Sequence, residues 1–255
     1  MSAGEVAAIV AAGFGAGIAT ASIGVASLVS FPVLVALGVP PVTANASNTV
    51  GLVPAGLSGS FGYRRELSLH PRVTATVLGL SGVFAVVGAL LLLRLPSSVF
   101  ESAVPWLILF ACSLVATQPL ISRRVRSRRG PDHVAGPPRV GAGVGLGTAA
   151  CGVYGGYFGA GQGVMMIAVL AFGLELPMAV ISALRTAAIL ASNLVATAIF
   201  VFVAPLDWTV VVLLGAGSVG GGYVGSIIGR HLPDLVLRAL VVASGVTVAA
   251  LMLRG

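Results

Sequence analysis

Long, unbroken apolar runs constrain this chain more than any other feature. They cover residues 6–37, 42–63, 73–93, 99–121, 140–172, 178–203, 208–228 and 235–253. A helix needs about 20 apolar residues to cross the hydrocarbon core of a bilayer. Hydrophobic residues make up 57% of the sequence and charged residues only 8%, against about 25% charged in an average soluble domain. Lipid is therefore the solvent that such a chain fits. In lipid, every backbone polar group must be satisfied internally, by helices or by a closed barrel. A barrel would read as short segments that alternate apolar and polar. These runs do not alternate, so an all-α membrane protein of about eight transmembrane helices is expected.

The formal charge is +7, and all of the basic side chains are Arg. Most of them sit in short segments between apolar runs, the placement of topogenic charge. No basic face with interleaved aromatics exists, so nucleic acid is excluded as a partner. Residues 122–139 gather Arg123, Arg124, Arg126, Arg128 and Arg129 with Gly130-Pro131 and Gly136-Pro137-Pro138. This reads as a solvated cytoplasmic linker between a membrane half at 1–121 and another at 140–255. The loop with Arg64, Arg65 and Arg72 reads as cytoplasmic too. Eight crossings would put both termini in the cytoplasm. Arg230-His231 would then face outside, against the charge rule. Residues 1–5 lack a positive stretch, so the first run reads as a retained span.

The halves resemble each other. Each begins with a long run interrupted by Gly and continues with three ordinary runs, so the first helix of each half should be broken or re-entrant. An offset of 135 positions superposes Gly38 on Gly173, Ala44 on Ala179 and Ser47 on Ser182. Interrupted segments at matching positions of a repeat are the best sequence pointer to a transport site.

Three groups of residues carry possible chemistry. The first is the break at Gly159, Gly161, Gln162 and Gly163, where clustered Gly lets a helix turn its amides toward an anion or lets helices pack closely. Gly143, Gly147, Cys151, Gly155, Gly159 and Gly163 also fall every fourth residue as a small-residue face, as do Gly217, Gly221, Gly225 and Gly229. The second is Arg185, eight residues past Pro177 and so about 12 Å along a helix. An ionisable group at that depth marks a pathway, and a guanidinium matches oxyanions with paired donors. The alternatives are snorkelling and pairing with Glu175. The third is the polar set Asn45, Ser47, Asn48 and Thr49, with its counterpart Ser182, Thr186 and Asn193. These can strip water from an anion, or simply join helices.

Gly56-Leu57-Ser58-Gly59 matches a short motif of intramembrane serine proteases. That chemistry needs a nearby His base, and His70, His133 and His231 all lie in or beside loops. No metal or cofactor motif occurs, so neither an enzyme nor a cofactor is expected. Cys112 and Cys151 read as small packing residues.

Gly152–Gly163 (GVYGGYFGAGQG) resembles the glycine signature of the sulfite exporter TauE/SafE family. Ser22-Ile23-Gly24-Val25-Ala26 is a degraded copy in the first half. Asn45–Pro54, Gly62–Leu67 and Gly220–Gly225 also resemble that family. The resemblance implies transport of small sulfur-containing or other anions across the cytoplasmic membrane by about eight helices in two related halves. The chain departs from the pattern at Val25 and Ala26, where Gly is expected, and at Arg185 and Thr186, where Lys and Asn are expected. The Arg keeps the charge, so the second half should carry most of the substrate chemistry. Partners are then a small anion and the bilayer, with a homo-oligomer left open. A passive anion channel and a non-transporting assembly factor are the competing functions.

Overall fold

The computed structural model describes residues 1–22, 24–128, 139–228 and 234–254. The described residues form helices and connecting turns, with no strand among them. In the first half these are α1 (Ala3–Ser22), α2 (Ser27–Ala36), α3 (Pro41–Gly51), α4 (Val53–Gly62), α5 (Arg64–Leu69), α6 (Pro71–Arg94) and α7 (Ser97–Arg128). In the second they are α8 (Ala142–Tyr157), α9 (Gln162–Gly173), α10 (Met178–Val203), α11 (Trp208–Ile228) and α12 (Asp234–Arg254). Among the described residues, four segments are long and apolar enough to cross a membrane: Ala3–Thr20, Pro71–Arg94, Ser97–Leu120 and Met178–Val203.

The two Gly-broken runs are helical hairpins. Gly147 packs against Val169, Gly173 against Val144, and the Gln162 amide donates to the Cys151 carbonyl at 2.9 Å. That register is antiparallel, so α9 doubles back along α8. Gly15 packs against Val29 in the same way, so α2 doubles back along α1. Each run is thus broken at its glycine turn into two antiparallel helices. Both turns rest on a left-handed glycine, Gly24 at φ 73° and Gly159 at φ 75°. Side chains rarely adopt that conformation. Gly24 N–H donates to Ala19 O at 2.7 Å, and Gly159 N–H to Tyr154 O at 2.9 Å. Each bond spans five residues and closes a wide turn at a helix C-terminus.

Close glycine contacts set the helix directions. A methyl on Gly17 would strike the Ser218 carbonyl, and one on Gly221 would strike that of Phe14. Hence α1 and α11 lie side by side and parallel. Gly152 meets Ser81 and Gly156 meets Ala85, so α6 and α8 are parallel too. Small residues allow this approach where lipid supplies no hydrophobic drive between helices. Gly56 lies against Leu190 and Gly59 against Thr186, so α4 and α10 are antiparallel. Cys112 packs α7 against Gly245 of α12. Both cysteines are free and buried, as packing residues should be.

Two expectations need correction. Residues 42–63 are not one helix: they divide at Leu52 into α3 and α4. Pro54, at the second position of α4, has no N–H for the Val50 carbonyl, and its ring crowds that turn. Nor does α7 stop at residue 121. It continues to Arg128, so the first residues of the expected linker are its last two turns, and Arg123 and Arg124 are exposed there. The rest of the linker through Pro138, and Arg230-His231, lie outside the described residues.

Candidate functional site

The hairpin turns meet near the middle of the bundle. A methyl on Gly163 would lie 2.5 Å from the Gly24 carbonyl oxygen. Beside them is a cavity of about 40 Å³, room for roughly three water-sized positions. Its wall combines Thr20, Gly24, Val25, Ala26 and Ser27 of the first hairpin with Leu52 and Gly56. Gly159, Thr186, Ile189 and Asn193 complete it. The polar groups facing it are therefore three hydroxyls and one amide. The first hairpin contributes five of these residues and the second only Gly159, although the first carries the degraded copy of the motif.

Arg185 stands behind this wall and is 4% exposed. Its guanidinium lies flat against Gly24, where a methyl would come within 2.9 Å of the guanidinium carbon. Gly24 is thus needed twice, for its φ and for the space that Arg185 fills. Nη2 of Arg185 donates to Thr186 Oγ1 at 3.5 Å, and that hydroxyl donates to Ser182 O at 2.9 Å. Burying a charge at this depth is costly unless polar groups or a cavity solvate it. Here the charge backs onto the polar wall through Thr186.

The structure therefore brings Arg185, Thr186, Asn193 and Gly159 together. Ser182 enters only through its carbonyl. The remaining expected residues do not line the cavity. Gln162 Nε2 donates to Cys151 O and to Ser192 Oγ, at 2.9 and 3.2 Å. Its side chain occupies the space left by Gly155. Ser47 Oγ accepts from the Asp207 N–H at 2.9 Å. Thr49 donates to Asn45 O at 2.9 Å. Asn48 Oδ1 accepts from Ser30 Oγ. Gly161 caps α9 at φ 77°, and Gly163 makes room for the first hairpin. Ser58 of the protease-like motif donates to the Ala55 carbonyl at 3.0 Å. Among the described residues no cluster of His, Cys, Asp or Glu could hold a metal.

Sequence reasoning passed over Thr20 and Ser27. A signal for Ser27 existed: the 135-residue offset superposes it on Gln162, and these two residues begin α2 and α9. It also passed over the Ser81–Ser192 pair at 2.7 Å, which ties α6 to α10 behind Gln162.

The profile of the family described as "Sulfite exporter TauE/SafE" matches residues 9–252. The chain belongs to the TauE/SafE family. It is also similar to a "Probable membrane transporter protein" of Haemophilus influenzae. The two are 26% identical over 232 residues, which is 90% of this chain and 87% of the relative. No solved structure matches the chain. As a TauE/SafE protein with several apolar helices, it is a multi-pass membrane transporter. Family membership gives no role to a single residue, so the cavity must be read from its own chemistry.

Proposed function

We propose that this transporter moves a small anion, of the size of sulfite or a small sulfonate, through the cavity between its two hairpin turns. The observation that carries this reading is the buried Arg185 guanidinium, packed on Gly24 and bonded to the Thr186 hydroxyl of the wall. A fixed cation there attracts an anion, while Thr20, Ser27, Thr186 and Asn193 replace part of its water. No acidic residue lines the wall. Arg185, Thr186 and Asn193 are the binding groups in this reading; Gly24 and Gly159 shape the site.

The helix directions support a definite arrangement in the membrane. α3–α4, α6, α7, α10, α11 and α12 cross, and the two hairpins dip in from opposite faces and return. The residues superposed by the 135-residue offset then belong to halves of opposite orientation, with related segments meeting at midplane as in many secondary transporters. The face bearing the residue 122–139 segment also carries Arg64, Arg65 and Arg72. The opposite face carries both termini, Glu5, Glu101 and Asp207, with Arg94 and Arg254. By the positive-inside rule the first face is cytoplasmic. This arrangement moves both termini outside, where eight crossings would put them in the cytoplasm.

Flux into liposomes tests the proposal. Purified protein is reconstituted and supplied with sulfite, sulfoacetate or sulfate, with and without a proton gradient. Accumulation that disappears in Arg185→Gln supports it. Normal flux by that variant refutes the role of Arg185, and passive flux alone makes the protein a channel.

A further inference from the structure

One side of the cavity is closed by a layer of side chains that the binding site does not use. α2 leads away from the cavity at Ser27, and one turn further come Ser30 and Phe31. α3 leads toward the cavity at Leu52, and one turn before it comes Asn48. Ser30 Oγ donates to Asn48 Oδ1. Phe31 meets Phe158 edge to face at 5.2 Å between centroids, and Phe158 meets Phe100 at 6.1 Å. Phe100 also meets Tyr157 at 5.5 Å. All of this lies between the cavity and the end of the bundle where α3 and α7 begin, the end that carries the chain termini. Ser30, Phe31, Asn48, Phe100 and Phe158 are each at most 2% exposed.

The layer joins four elements: the returning arm of the first hairpin, the turn of the second, α3 and α7. Asn48 Nδ2 is buried in it and finds no hydrogen-bond partner among the described residues. Buried amides are almost always satisfied, so this one calls for a partner such as water or a ligand. On the other side of the cavity stand Arg185 and Gly59, and no aromatic pair bridges the hairpins there among the described residues.

We infer that the Ser30–Asn48 bond and the Phe31–Phe158–Phe100 stack form a gate on the terminal face, closed in this structure, while the site opens to the face of the residue 122–139 segment. The inference rests on the proposed site and arrangement, and it assigns these residues to sidedness rather than to anion binding. When the hairpins part, the aromatic contact and the Ser30–Asn48 bond break together. The bare Asn48 amide then meets water or an entering anion.

Sided labelling tests the gate without any anion, so a failed flux assay and a failed gate are separate results. A single cysteine replaces Ser27 on the cavity wall, in a background of Cys112→Ala and Cys151→Ala. A membrane-impermeant maleimide is applied from each face of sealed vesicles, whose orientation is fixed by parallel Ser2→Cys and Arg64→Cys proteins. Ser27→Cys should react faster from the Arg64 face by about tenfold or more, as expected when the opposite opening is a minor state of 10% or less. Adding N48A or F158A should raise the rate from the Ser2 face by a similar factor. S30A, which removes only the hydroxyl, serves if either variant is not monodisperse. Equal rates from both faces, faster reaction from the Ser2 face, or no reaction from either overturns the gate. So does an unchanged Ser2-face rate in well-folded variants.

Discussion

Gly24 and Gly159 stand 135 positions apart and hold the same backbone turn, each with its N–H bonded to a carbonyl five residues earlier. Two segments with different flanking side chains have therefore kept one conformation. Only one of them carries a cation against it, because Arg185 fills the space beside Gly24.

Gly24→Ala should lower thermal stability in detergent, since a left-handed alanine costs about 1–2 kcal/mol. It should also abolish anion flux by displacing the guanidinium. Gly159→Ala should cost as much in stability and less in flux, because its neighbour is the Gly155 carbonyl and not Arg185. Melting curves and flux measured on the same preparations check this. Equal flux in the two variants would separate Gly24 from the site.

The helix contacts predict a sharp contrast within α6. Gly88 touches the Val153 carbonyl and the start of the hairpin turn, whereas Gly79 has open space. Gly88→Ala should destabilise by several kcal/mol through overpacking, where inserted methylenes typically cost about 1–3 kcal/mol or more. Gly79→Ala should be neutral or slightly stabilising, by up to about 1 kcal/mol, from helix propensity. A thermal-shift series reads both, and similar effects at the two positions would contradict the parallel α6–α8 pair.

Gln162 and Asn193 should fail in different ways. Gln162→Ala removes the tie to Cys151 and Ser192 and should cost about 1–3 kcal/mol of stability, the penalty for leaving buried groups unpaired. Asn193→Ala should leave the melting temperature near wild type and lower the apparent affinity for the transported anion. If Gln162→Ala is as stable as wild type but does not bind the anion, Gln162 belongs to the site and not to the tie between α8, α9 and α10.

The sided arrangement predicts opposite compartments for the N-terminus and Arg124. Fusion of a periplasm-active reporter at Met1 and labelling of Arg124→Cys in intact cells should give opposite sidedness, with Arg124 inside. Agreement between them would restore eight crossings.

Much of this was legible in the residues. Hydropathy identified the membrane class, Gly152–Gly163 and Gly24 marked both turns, and the isolated Arg185 pointed to the buried cation. The break at Leu52 was missed because Pro54 falls inside an otherwise apolar stretch, and a proline within two residues of a helix start looks the same as one that divides a helix. Hydropathy also cannot tell a hairpin that returns from a span that crosses. That difference lies in Gly147 meeting Val169, a tertiary contact. In the sequence Gln162 is a lone amide among glycines with no local partner. Its partners, Cys151 O and Ser192, come from the preceding helix and from α10.

The pairing of α1 with α11 bears on biosynthesis. Gly17 leaves the ribosome about 200 residues before Ser218, a delay of roughly 10–40 s at ordinary elongation rates. Through that interval the glycine face of α1 meets only lipid tails, which impose little penalty on it. Residues 1–121 made alone should insert but stay loosely assembled. Supplying residues 140–255 as a second polypeptide should complete the bundle in trans.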